Sequence, residues 1–342
     1  MAPLKGQDQK LVVRERAKVN LLADHFAAKF RAEDLEGTGG SRAERRDKRA
    51  MFAPVWGRFG EFRAVELYKA LHGMTSGKAP GPDCLAAALF KNLHSPFGSI
   101  LRVFYCIIKT GRFPNLMSRL YIAPINKPDK DATLCKSKRP ISLMCVISKL
   151  LEPTVSQRLA PAVEKGLGPG QFAYRGERGT EFHLLQVYGL VCEEIEKGKF
   201  AYLAAADIDG AFDNVPHDVL VASSVGAGAD RFLCRYVAKW FQRRTFGVKL
   251  TTPAGVFISG WRPMSRGLPQ GGVLSPLLWL VHVNPMREMV STRLAENGVL
   301  GIDLGRMALL YADDMVIALS LIRIPMHLLR RQGMKMGRMR GR

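Results

Sequence analysis

Apolar positions along this chain recur with two periods. Residues 1–36 place Leu11, Leu21, Leu22, Phe26 and Phe30 among charged positions, a helical pattern. The stretch Gly37–Arg49 has no periodicity and reads as a linker. A second helix is expected from about Glu61, with Phe62, Val65, Leu67 and Leu71 on one face. It must end in Met74–Asp83, which holds two glycines and two prolines. Residues 85–112 are helical in pattern, Leu120–Ile125 is strand-like, and Lys127–Lys130 is a turn. Pro140 forces Arg139 into an extended conformation, so Lys138–Leu143 reads as a second extended segment. Helices are expected over 142–159, from Thr180 (as N-cap) to about Gly198, over 217–224 and 230–243, and from Ser275 at N-cap through 277–290. Between them fall an apolar strand ending at Asp207, a hairpin over 246–250 and 255–258, and the glycine-rich stretches 166–179 and 265–272. Near the end, two strand-length runs around Met307–Leu310 and Met315–Leu319 flank Tyr311-Ala312-Asp313-Asp314. That pattern predicts a tight hairpin with an acidic pair at its turn.

Charge changes the picture most. With 51 Lys and Arg against 30 Asp and Glu, the 342-residue chain carries a formal +21. Each phosphate neutralised by such a surface releases a counterion, which makes nucleic acid the leading partner. An anionic membrane is the weaker candidate, since no basic amphipathic helix stands out. The basic residues are spread from the Arg42–Arg49 cluster through Lys127–Arg139 to Arg330–Arg342, which fits a groove lined by several segments. Six cysteines show no metal-ligand spacing with the seven histidines, so buried thiols in a reducing compartment are expected. The N-terminus lacks the layout of a secretory signal, and no apolar run is long enough for a membrane span. The expectation is a soluble, intracellular protein that is not secreted.

The candidate chemistry sits on acidic and glycine-rich segments. Asp313-Asp314 alone is either a solvated turn or half of a site for a hard cation such as Mg2+. Asp207, at the end of an apolar strand, is the third candidate ligand, and Asp209 and Asp213 follow it in a turn. Lys127 and Arg139 lie on two extended segments suited to holding a triphosphate, or are two basic residues of a basic surface. In Gly267-Leu268-Pro269-Gln270-Gly271-Gly272, glycines allow close backbone approach, and the Gln270 amide both donates and accepts. Lys78 sits in a loop that either presents it to phosphate or simply turns between helices. His217 reads as an ordinary helix entry rather than a catalytic base.

Taken in order, Gly77-Lys78-Ala79-Pro80-Gly81-Pro82-Asp83, Arg139-Pro140-Ile141-Ser142, Gln171-Phe172, Ala211-Phe212-Asp213, Gly267-Leu268-Pro269-Gln270-Gly271 and Tyr311-Ala312-Asp313-Asp314 resemble the reverse transcriptase domain of non-LTR (LINE-type) retrotransposons. The resemblance covers about residues 61–319 and implies an α+β right-hand polymerase with fingers and palm. It divides the chain into an N-terminal helical and linker segment (1–60), fingers (61–200), palm (201–320) and a basic tail (321–342). It implies an RNA-directed DNA polymerase that transfers nucleotides from dNTPs to a primer 3′-hydroxyl. Asp207, Asp313 and Asp314 would hold two Mg2+ ions, with Mn2+ as a substitute. Lys127 and Arg139 would contact the triphosphate, Phe212 the incoming sugar, and Gln270 with Gly271 the nucleotide and template. RNA template, DNA primer or target and dNTPs are the implied partners, with no membrane, and the element's way of life implies a nuclear location. Two departures stand out. Cys84 occupies a position where the family usually has glycine. No lysine-bearing palm segment, primer-gripping hairpin or helical thumb is recognisable in Leu321–Arg342, and no endonuclease fits before residue 61, so a fragment without its thumb is expected. The rival reading is a catalytically inactive RNA- or DNA-binding remnant of such an element.

Overall fold

The computed structural model describes residues 1–6, 9–31, 55, 59–92, 97–296 and 308–321. Its architecture is mixed α/β, and the chain divides into two compact units that alternate along the sequence. Unit 1 is built from Met1–Leu167 and Gly210–His282, unit 2 from Gly168–Asp209 and Val283–Arg342. The expected linker at 37–49 and the basic tail beyond Leu321 lie outside the described residues.

Unit 1 is organised on a five-stranded sheet. Strands β3 (Arg119–Asn126) and β4 (Lys138–Met144) pair antiparallel, and β3 pairs in parallel with β6 (Thr245–Thr252). β6 in turn pairs antiparallel with β7 (Gly255–Ile258) and β8 (Arg262–Pro263). Leu120 and Ile122 of β3 alternate with outward residues, and with Phe246, Val248 and Leu250 of β6 they form the sheet's buried side. Helix α1 (Glu15–Lys29) packs on β6 and buries Val19, Leu22 and Phe26, while Phe30 just beyond it meets Phe246 edge-on at 5.4 Å. Before α1, the short strands β1 (Leu4–Lys5) and β2 (Leu11–Val12) pair with each other. Leu11 is therefore exposed in a strand rather than on the helix's apolar face.

Helix α2 (Ala64–Gly73) buries Leu67, Ala70 and Leu71 but turns Val65 and Tyr68 to solvent, so Val65 does not belong to the face predicted for it. Glu66 on the same helix is buried because Arg158 meets both its oxygens, at 2.7 and 2.9 Å. The 85–112 region resolves into α3 (Ala87–Lys91) and α4 (Phe97–Thr110). Helix α5 (Val146–Gly166) begins later than the pattern suggested. The β3–β4 ladder continues to Leu120–Met144, so Ser142 and Leu143 stay extended, and Asp83 Oδ2 receives Val146 N at 2.5 Å in the first turn. Helices α6 (Thr180–Glu196, in unit 2), α7 (His217–Gly226) and α8 (Arg231–Gln242) fall where expected, though Gly179 rather than Thr180 is the N-cap of α6. All six cysteines are free. Only Cys145 and Cys234 are buried, and Cys84 and Cys106 are exposed, which corrects the expectation of buried thiols throughout.

Unit 2 contains a three-stranded antiparallel sheet in the order β5 (Phe200–Asp207), β10 (Asp314–Leu321), β9 (Ala308–Tyr311). Helix α6 lies against this sheet, and Phe172, Leu190, Leu309 and Ala318 form its core, with Val187 and Tyr311 at the margin. The Gln171-Phe172 segment is stitched to β9: Phe172 N donates to Leu310 O (3.0 Å) and Leu310 N to Gly170 O (2.8 Å). A Cβ on residue 170 would meet Ala308 O at 2.6 Å, so only glycine lets the two backbones approach. Helix α9 (Leu274–Glu296) runs from unit 1 into unit 2. No described helix is long and apolar enough to cross a membrane.

Candidate active site

In unit 2 the hairpin forms as its pattern predicts. Ala312 and Asp313 make a two-residue turn, and Ala312 adopts φ +57, a conformation that side-chain-bearing residues rarely take. The antiparallel register then sets Asp314 directly opposite Asp207, and Asp313 O accepts Ile208 N at 3.0 Å. All three carboxylates are exposed at one end of the sheet. Like charges directly across a ladder destabilise it, and a bound divalent cation would remove that cost. The donor chemistry, three carboxylates, fits a hard cation. Among the described residues, however, no group of three or more His, Cys, Asp or Glu side chains closes into a metal cage. The three aspartates are neighbouring carboxylates at the sheet end rather than a preformed cage.

Two further side chains border this rim without having been singled out from the sequence. Tyr174 stands at φ +59, and burial together with the Asp313 charge raises its phenol pKa. Burial lowers the His183 pKa, with the Asp314 charge opposing that shift, and its ring lies 5.9 Å from that of Tyr311. Their only signal in the chain was proximity to the Gln171-Phe172 motif, because a positive φ at tyrosine leaves no mark in composition.

Unit 1 carries the remaining predicted residues. Arg139 is exposed on β4 opposite Ile125, and Lys127 follows the end of β3, with its N–H donating to Ser137 O at 2.8 Å. The neighbouring Lys138 behaves differently. It is buried, its ammonium donates to Ala132 O (2.6 Å) and to Asn126 Oδ1, and it fastens the 127–137 loop. Burial lowers its pKa.

Phe212 lies in a short 3-10 turn (Ala211–Asp213), its ring stacked on Trp279 at 5.5 Å and 20°. The segment 265–271 is bonded to that turn: Leu268 N donates to Phe212 O (2.6 Å) and Gly267 N to Val215 O (2.8 Å). Gly267 has φ +89, and a Cβ there would meet Asp213 O at 2.7 Å. Gly271 has φ +97. Gln270 O accepts Ser142 N at 2.7 Å, and Gln270 Nε2 donates to Asp213 Oδ1 at 2.8 Å. Ser275 proves not to be the N-cap of α9. Glu152 of α5 takes that role, accepting Val273 N (2.9 Å) and Leu274 N (3.5 Å), which frees the Ser275 hydroxyl to donate to Pro269 O at 2.7 Å.

His217 opens α7, stacks on Phe241 at 4.0 Å, and bonds through Nε2 to Gly267 O at 2.8 Å. Burial pushes its pKa down to about 4 from 6.5. A base with a depressed folded pKa stabilises the fold above the unfolded value, and that stability is lost as pH falls from 6.5 through 4. His217→Phe keeps the stack and removes the proton site. Urea melts at pH 7 and pH 5 are therefore expected to differ less for the variant than for the native chain. An unchanged difference would show that His217 does not titrate as its burial demands.

Residues 125–331 match the reverse transcriptase (RNA-dependent DNA polymerase) family, and the chain belongs to it. Its relatives bear out the resemblance to non-LTR elements. It is 31% identical over 212 residues to the RNA-directed DNA polymerase from mobile element jockey of Drosophila melanogaster, covering 61% of this chain and 23% of that protein. It is 26% identical over 331 residues to the probable RNA-directed DNA polymerase from transposon BS of the same species, covering 93% of this chain and 34% of that one. The chain thus spans about a quarter to a third of the length of these relatives. A telomerase from Candida albicans, solved with a fragment of telomeric RNA, aligns over 68% of this chain and 43% of its own at 10% identity, with a TM-score of 0.40.

Proposed function

We propose that this chain carries the fingers and palm of an RNA-directed DNA polymerase, and that Asp207, Asp313 and Asp314 are its catalytic carboxylates. The observation that carries the reading is the register that sets Asp207 opposite Asp314 beside the Asp313 turn. A strand ladder fixes carboxylates more tightly than a loop does, and rigid anionic ligands are what nucleotidyl transfer needs. Bound Mg2+ would supply acidification of the primer 3′-hydroxyl and neutralise charge on the pyrophosphate leaving group. Within this reading, the three aspartates hold and orient that cation at the sheet end. Arg139 grips a triphosphate through its planar fork, and Lys127 adds a point charge. Phe212, braced by Trp279, closes the space beneath the sugar, and Gln270 with Gly271 meets the nucleotide and its template base. The +21 charge supports RNA template and DNA primer as partners.

Primer extension on an RNA template, with dNTPs and Mg2+, is the direct test. Extension that EDTA abolishes is expected. Salt-sensitive RNA binding with no extension would instead leave a nucleic-acid-binding protein without catalysis. The Phe212 assignment has its own measurement: Phe212→Ala is expected to raise ribonucleotide incorporation about tenfold or more, because the 2′-hydroxyl no longer collides with the ring. Unchanged sugar selectivity would remove Phe212 from this role.

A further inference from the structure

Helix α1 ends on the nucleotide loop of unit 1. Phe30 O accepts both Ser265 N (3.0 Å) and Arg266 N (3.1 Å), and Lys29 O accepts Arg266 Nε at 3.0 Å. The Phe30 ring is buried against Phe246, so this end of the helix cannot shift without opening the core. From that anchored position the Lys29 ammonium reaches Asp213 Oδ2 at 2.5 Å, and the other oxygen, Oδ1, receives Gln270 Nε2 at 2.8 Å. Asp213 is 3% exposed, whereas Lys29 and Gln270 are half-buried. Each carboxylate oxygen therefore has one partner, and the buried charge is compensated by the cation from α1.

This chain of contacts fixes a direction. An ionised carboxylate only accepts, so the Gln270 amide must present its NH2 to Asp213, and its carbonyl oxygen is turned away from Asp213. The neighbouring backbone reinforces the arrangement. Gly210 is left-handed at φ +61, and a Cβ there would meet Asn214 Nδ2 at 2.8 Å and stand 3.9 Å from Lys29 Cε. The Asp213 backbone N–H is already committed to Gly210 O at 2.9 Å. Without the Lys29 cation, a nearly buried Asp213 would keep only the Gln270 amide. Left without that cation, the buried carboxylate would be displaced from its position and would release the Gln270 amide from its fixed orientation.

We propose that Lys29 is a positioning residue for nucleotide selection, acting through Asp213 to hold the Gln270 amide with its carbonyl oxygen outward as an acceptor. Lys29 precedes the family-matched residues 125–331. The inference rests on the reading of Gln270 as a nucleotide contact. It assigns to the N-terminal helix a function in recognition as well as in packing.

Single-nucleotide primer extension with varied dNTP tests it. Lys29→Met is expected to raise KM for dNTP about tenfold and to leave kcat within about twofold, because the lost order concerns binding rather than the reacting atoms. Lys29→Arg, which keeps the cation, should return KM to within about twofold of the native chain. Gln270→Met should raise KM to a similar extent, and Lys29→Met added to Gln270→Met should raise it no further, since both remove one interaction. A merely structural lysine would lower stability and leave that double-variant cycle additive. Unchanged KM in Lys29→Met, or multiplying effects in the double variant, overturns the proposal while native extension stands. A native chain that does not extend overturns the polymerase reading instead, and this inference with it. One readout needs no turnover: the side-chain amide 1H–15N signal of Gln270, identified by its loss in Gln270→Met, should move in Lys29→Met and not in Lys29→Arg. A signal that stays in place in Lys29→Met counts against the linkage directly.

Discussion

Asp313→Asn is expected to lower RNA-templated primer extension about 1,000-fold, on the order of 4 kcal/mol of barrier, while RNA affinity stays within about twofold. Asparagine keeps the size of the side chain and the two-residue turn, so the loss isolates the carboxylate charge. The same register gives a second signature. Because Asp207 and Asp314 face each other across the ladder with Asp313 beside them, neutralising any one relieves repulsion. The variant should therefore melt at or slightly above the native temperature in metal-free buffer. Millimolar Mg2+ should raise the melting temperature of the native chain more than that of Asp313→Asn, since a ligand that binds only the folded state stabilises it by mass action. Full extension by Asp313→Asn would refute the catalytic assignment, and equal Mg2+ stabilisation of both proteins would refute the metal assignment.

The largest stability effect is expected at Glu152. This carboxylate is fully buried in α5, caps the first amides of α9, and lies in the field of Arg244, a guanidinium that is itself buried 3.8 Å above the Trp240 ring. Removing the carboxylate uncaps those amides and leaves the buried Arg244 guanidinium without that compensating field, so Glu152→Ala should cost about 2–4 kcal/mol in a urea melt. Burial raises the Glu152 pKa to about 7 from 4.5, against the opposing pull of Arg244 and the two amides. An acid with a raised folded pKa gives stability that is fully present below pH 4.5 and is lost as pH rises through 7. That slope is opposite to the one from His217, and the two overlap between pH 4.5 and 6.5. Glu152→Gln is expected to uncover the acid-side loss due to His217. A pH profile unchanged by Glu152→Gln would show that the carboxyl does not titrate in this window.

The strands and turns that carry the candidate site were legible because they lie where period and punctuation coincide. The hairpin at Asp313-Asp314, the strand ending at Asp207 and the Phe246–Ile258 hairpin all have apolar runs of strand length interrupted by turn residues. The start of α5 was misplaced because Ser142 and Leu143 satisfy a helical pattern locally, while pairing of β4 with β3 holds them extended. Ser275-Pro276 is a sound local cap signal, overridden by the Glu152 carboxylate, which lies 121 residues before the Val273 amide it receives. Lys138, Glu152 and Arg244 could not be recognised as buried, because charged residues mark surface in any pattern until their partners are placed. The tie from Lys29 to Gln270 was out of reach for the same reason. It joins three segments that no short motif connects.

The parallel pairing of β3 with β6 bears on how the protein is made. Partners such as Arg119 and Thr245 are 126 residues apart, so β3 leaves the ribosome on the order of 10 s before the strand that completes its sheet. Until then Leu120 and Ile122 have only β4 and local helices to shield them, and closing so long a loop is slow. Chaperone occupancy during synthesis should concentrate in that interval, and slower elongation between β4 and β6 should lower the soluble yield.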